Sequence, residues 1–202
     1  MKQVSRLLSL LVLPAAFLVL TGIACDSNNI PDRVWERGAF QPVSENQKSY
    51  SVPADITIDS LYGFDDYTSE SDAPLYMVVS NSKTSDVQVT FPAGLVFDPG
   101  NADYKYMMIL KDFTFTAKAG VTDSILVPTY GCNDDLDDPD DASFYTIAGQ
   151  EWDKEIQELL DLVANKALNT DDAVTLAQDA LAEITDDAGL TDATRTALKA
   201  LP

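Results

Sequence analysis

The densest run of chemistry-bearing residues is Asp134-Asp135-Leu136-Asp137-Asp138-Pro139-Asp140-Asp141, six aspartates in eight positions. Carboxylates crowded into one loop repel one another, and a divalent cation held by hard oxygens relieves that cost. Asp134, Asp137 and Asp140 are therefore candidate calcium ligands. The order lacks the central Gly and terminal Glu of an EF-hand loop, and an exposed, solubilising loop is the competing expectation. The chain contains no histidine, which removes Ser-His-Asp and Cys-His catalysis and the commonest zinc ligand. No second carboxylate can be set opposite the aspartate run, so the pattern does not spell a glycosidase. The expectation is a protein that binds rather than turns over a substrate.

Two cysteines are present, Cys25 and Cys132. Lys2 and Arg6 open the chain with positive charge, an apolar run follows over 7–20, and Leu20-Thr21-Gly22-Ile23-Ala24-Cys25 ends it with small residues before a thiol. This order resembles the signal of a bacterial lipoprotein, which implies cleavage before Cys25 and lipid on its sulfur. The apolar run is short for a spanning helix, which needs about 20 apolar residues, and Pro14 interrupts it. Export without lipid is the other alternative. The resemblance covers residues 1–25 and implies an anchor on the cell membrane or outer membrane, with the folded part periplasmic or extracellular.

With Cys25 lipidated, Cys132 is left without an intrachain disulfide partner. It stands in Pro128-Thr129-Tyr130-Gly131-Cys132-Asn133, and a second motif, Gln178-Asp179-Ala180-Leu181-Ala182, lies in a helical stretch. The pair resembles the two halves of a bacterial surface thioester domain, in which a strand cysteine bonds to a helical glutamine and captures a nucleophile on a neighbouring surface. Gly131 stands where that family has Tyr, and Ala182 where it has Trp. The resemblance implies a candidate thioester between Cys132 and Gln178. A structural thiol and an intermolecular disulfide are the alternatives at Cys132.

Removing 1–24 leaves 178 residues with 11 basic and 33 acidic side chains, a balance of −22. Such a surface repels nucleic acid and anionic headgroups and attracts cations or basic partners. The length suits one domain with an appendage.

The elements that must position these groups follow from periodicity. Residues 25–48 are polar with Pro31 and Pro42, which predicts a tether, with Trp35 and Phe40 docking locally. Alternation at Val87, Val89 and Phe91, an apolar 75–79, a strand-like 104–116 and Ile125-Leu126-Val127 predict short antiparallel strands over 49–131. Residues 132–150 read as an acidic connecting loop. In 151–202, Trp152, Ile156, Leu159, Leu160, Val163 and Ala167 recur at helical spacing, with Lys154 and Glu158 one turn apart. Val174, Ala177, Leu181 and Ile184 form a second stripe, and Leu198 and Leu201 a third. The expected fold is α+β, an antiparallel β-sandwich-like domain followed by a small C-terminal helical subdomain.

The expected function is a noncatalytic, lipid-anchored envelope protein that binds a protein or a surface glycan. Tyr62, Phe64, Tyr67 and Tyr145 are candidate contact rings. A covalent thioester adhesin and a structural or calcium-binding component are the alternatives.

One measurement reads both cysteines. Intact mass of the membrane-extracted protein should show a chain beginning at diacylglyceryl-Cys25, and a thioester at Cys132 would lower that mass by about 17 Da through loss of ammonia. A native chain that starts elsewhere, with an unmodified Cys25 thiol, contradicts the anchor.

Overall fold

Met107, Met108, Ile109 and Leu110 are four consecutive residues and all are buried. Successive side chains on extended chain point to opposite faces, so this stretch demands cover on both sides. The computed structural model, which describes residues 32–33, 35–42, 47–64 and 71–202, meets that demand with three layers. The middle layer is an antiparallel sheet of β1 (Gln47–Lys48), β10 (Thr146–Glu151), β5 (Leu95–Asp98), β6 (Tyr106–Met108) and β9 (Tyr130–Cys132), in that order.

One face of this sheet presents Leu95, Phe97, Met107 and Ile109 to two smaller sheets. These are the three-stranded β2 (Ile56–Gly63), β3 (Leu75–Asn81) and β8 (Thr122–Val127), and the ribbon of β4 (Val87–Phe91) and β7 (Phe113–Ala117). The other face presents Val96, Met108, Leu110, Tyr130 and Cys132 to α1 (Lys154–Val163), α2 (Asp171–Thr185) and α3 (Asp192–Ala200). The fold is thus α+β, a sandwich-like stack of antiparallel sheets followed by three helices.

The chain crosses between layers where Gly94 takes φ +81 and its N–H donates to the Ile109 carbonyl at 2.7 Å. A Cβ there would lie 3.1 Å from both the Glu151 carbonyl and Leu160 Cδ1, so the β4 to β5 turn needs glycine.

Several expected boundaries move. The single strand expected over 104–116 is two strands in different sheets, β6 and β7, separated at 109–112. Strand pairing continues past residue 131 into β9 and returns as β10, inside the stretch read as a connecting loop. Within the stretch read as a tether, Trp35 and Phe40 are buried in the helix-side core with ring centroids 4.9 Å apart. Arg37 donates to the Ile184 carbonyl at 2.7 Å and Gly38 N–H to the Thr185 carbonyl at 2.8 Å, and β1 pairs with β10. These residues complete the core that the helices alone leave open.

Helix α1 begins only at Lys154, because Asp153 caps it by accepting from Glu155 and Ile156 N–H. Trp152 and Ala167 accordingly lie outside the helix whose stripe is Ile156, Leu159, Leu160 and Val163. Lys154 pairs with Asp32 at 2.7 Å and Glu158 with Arg195 at 2.7 Å, rather than with each other. The stripe expected on α2 is buried as read. Leu198 is buried on α3, and Leu201, just beyond it, is half-buried. No helix among the described residues is long and apolar enough to cross a membrane.

Candidate functional site

Cys132 lies on β9 at the edge of the middle sheet, fully buried in the helix-side core as a free thiol. Burial pushes its ionisation well above the ordinary thiol value, and the charges of Asp186, Glu151 and Asp134 add to this. Such a thiol is a weak nucleophile. Gln178 of α2 comes to the neighbouring residue. Its Oε1 accepts from Gly131 N–H at 2.9 Å and its Nε2 donates to the Gly131 carbonyl at 2.9 Å. The amide takes both backbone groups that Gly131 turns to the open edge, so one side chain does the work of a further strand. Gln178 thus reaches the residue beside Cys132, with its amide engaged on Gly131. Cys25 lies outside the described residues.

The acidic run is held by bonds to several parts of the fold. Asp134 is exposed, and its backbone N–H donates to Asp186 at 3.3 Å. Asp137 pairs through its backbone, donating to the Asp103 carbonyl at 2.9 Å and accepting from Lys105 N–H at 3.0 Å. Asp140 accepts from Ala142 N–H at 3.0 Å and from the Tyr104 hydroxyl at 3.1 Å. Among the described residues no three acidic or thiol side chains converge to hold a metal ion, the candidates Asp134, Asp137 and Asp140 included. Instead Lys105 Nζ bonds Asp138 at 2.8 Å. Burial pulls the Lys105 ammonium down, but the Asp138 bond and the charges of Asp138, Asp134 and Asp72 outweigh it and hold the group above its ordinary value.

The outer face of the three-stranded sheet carries a row of rings. Leu61, Leu75, Met77, Val79 and Val127 turn inward and are buried, which directs their neighbours outward. Tyr62 stands opposite Tyr76, and Tyr76 opposite Leu126, which is 38% exposed. The Tyr62 and Tyr76 centroids are 5.1 Å apart, Phe64 stacks on Tyr76 at 5.9 Å, and Phe144 flanks Tyr62 at 6.4 Å. Phe144 is 65% exposed. One end of the row meets the acidic loop, because a Cβ on Gly63 would fall 2.3 Å from the Asp140 backbone nitrogen. There Phe64, Asp72, Pro74, Asp138 and Asp140 line a recess of about 210 Å³. On the other side of Phe144, Ile58, Leu61, Tyr145 and Ile147 border a groove of about 490 Å³.

Of the rings expected as contacts, Tyr62 and Phe64 belong to this row. Tyr67 lies outside the described residues, and Tyr145 is buried with its hydroxyl donating to the Lys105 carbonyl at 3.2 Å. Phe144 escaped the sequence reading. Its signal was adjacency, since Phe144 and Tyr145 in extended chain must face opposite ways and only one of them enters the core.

A second cluster sits on the helix side. Glu151 and Asp153 are fully buried, and neither Glu151 oxygen has a well-formed hydrogen bond. Burial, then the nearby Asp153 charge, raises the Glu151 carboxyl to about 8 against a small opposing pull from Trp152 N–H. Burial likewise raises Asp153 to about 6, opposed by the bonds it accepts from Ile156 and Glu155 N–H.

No protein-family model, curated protein or solved structure matches the chain. What it does must therefore be read from the aromatic row, the acidic recess and the Cys132 edge themselves.

The buried carboxyls give a pH dependence of definite sign. Both have folded values above their unfolded ones, so between those limits the folded state holds more protons. Their stabilising contribution is complete below the unfolded values and is lost as pH rises through about 6 for Asp153 and about 8 for Glu151. Denaturant unfolding should show stability falling from mildly acidic to alkaline pH, and Glu151→Gln should flatten the upper part of that fall. A variant with the slope of the unaltered protein would contradict the assignment.

Proposed function

We propose that this is a noncatalytic, lipid-anchored cell-envelope protein that binds a protein or surface glycan through the aromatic face of its outer sheet. The observation that carries the reading is the outward row in which half-buried Tyr62 and Tyr76 stand between exposed Leu126 and exposed Phe144, flanked by Phe64. Rings with a wet polar edge and an apolar body supply contact area at low ordering cost, and contiguous exposed apolar surface marks a place of contact. The layering supports the reading. The N-terminal segment joins the helix-side layer through Trp35 and Phe40, while the row lies on the far side of the opposite layer. Lipid at Cys25, on the cell membrane or outer membrane, would hold the helix-side layer toward the bilayer and leave the ring face to meet a partner.

A second reading, covalent adhesion through a Cys132–Gln178 thioester, draws on the approach of Gln178 to the residue beside Cys132. The burial of the thiol in the core favours the first reading.

A photo-crosslinking phenylalanine analogue placed at Phe144 in the anchored protein should form a discrete adduct in intact cells, whereas the same analogue at exposed Asp172 on α2 should not. Adducts at neither position, or equally at both, would contradict a dedicated binding face.

A further inference from the structure

The ring row alone would accept many partners, and the charges set around it narrow the choice. Its end abuts the loop carrying Asp138 and Asp140, with the backbone at Pro139 and Asp140 packed directly on Gly63. Asp72 lines the same recess, together with Phe64 and Pro74. Among the described residues the cation bonded to this loop is Lys105, engaged by Asp138 with only 12% of its side chain exposed, while Asp72, Asp138 and Asp140 line the recess itself. The chain beyond residue 24 carries 33 acidic and 11 basic side chains, which extends the same field over the surface.

From this combination we infer that the aromatic face docks a basic polypeptide segment, with an arginine or lysine entering the recess of Phe64, Asp72 and Asp138 while neighbouring apolar side chains lie across Tyr62, Tyr76 and Leu126. The inference rests on the binding-face reading above and names the partner's chemistry. Arginine suits the recess because its planar guanidinium stacks on a ring while its edge N–H groups meet carboxylates. A lysine would use the same charges without the stacking. A neutral glycan would use the rings but draw nothing from three flanking carboxylates, and an anionic glycan would be repelled by them. The outward Tyr62, Tyr76 and Leu126 across β2, β3 and β8 match a partner that offers apolar groups at intervals, with charge at one end.

The test titrates the detergent-solubilised, full-length protein with a short peptide of alternating arginine and valine, by calorimetry at several salt concentrations. The expected result is saturable binding that weakens with salt and falls about tenfold or more in Phe144→Ser, in Tyr76→Ser and in the pair Asp72→Asn with Asp138→Asn. The pair Asp171→Asn with Asp172→Asn, which removes the same charge from α2, should leave it unchanged. Phe144→Ser guards against misfolding, since that ring is largely exposed, and thermal melts check the others. Equal loss in the α2 control would reduce the effect to diffuse charge and overturn the inference. Binding of a neutral oligosaccharide at the same rings, with none of the peptide, would also overturn it while leaving the binding face intact. Absence of both ligands overturns the inference, and the Phe144 crosslinking result then decides separately whether the face binds anything.

Discussion

The burial of one sheet on both faces is the constraint from which the remaining arrangement follows. Met107 and Ile109 need one apolar partner surface and Met108 and Leu110 another, so neither the small sheets nor the helices can be dispensed with. The small sheets bury Leu75, Met77 and Val127 against one side, and this places Tyr62, Tyr76 and Leu126 on the outside. The helices bury Ile156, Leu159, Leu181 and Ile184 against the other side and draw Trp35 and Phe40 in with them. The direction in which the rings look is thus a consequence of how the middle layer is covered.

Two polar devices finish what apolar burial leaves undone. Gln178 satisfies the open edge of β9 at Gly131, which joins α2 to the sheet by two hydrogen bonds as well as by packing. Lys105 ties Asp138 and, through its backbone, Asp137 to the beginning of β6, so the aspartate run is held against the end of the ring row. An acidic loop that would otherwise be driven outward by self-repulsion becomes a wall of the recess. Residues that resemble a thioester pair and a calcium loop also have structural work in this fold, Gln178 closing the edge at Gly131 and Asp138 holding Lys105.

Much of this was legible in the residues. The alternation of Val87, Val89 and Phe91 is β4, and Val174, Ala177, Leu181 and Ile184 are the inner stripe of α2. Strong periodicity survives because one face of each element meets a core. The 104–116 stretch misled because a doubly buried strand has no alternation to mark its end, so β6 ran into β7 without a signal. Strand β10 was hidden by Ala148 and Gly149, residues of poor strand propensity, with Gly149 at φ 151 beside a register shift. Pairing across long separations, such as β1 with β10, leaves no local trace. The rings were visible as residue types, but which of Phe144 and Tyr145 faces water depended on the sheet that receives them.

Native-state hydrogen exchange tests most directly whether the doubly covered sheet unites the molecule. Amides of Met107 and Met108 in β6, Leu159 in α1 and Leu181 in α2 should exchange with a single opening free energy equal to that of global unfolding. Helix amides that open at clearly lower free energy while β5 and β6 stay protected would show that the helical layer is an independent appendage, and would contradict the account.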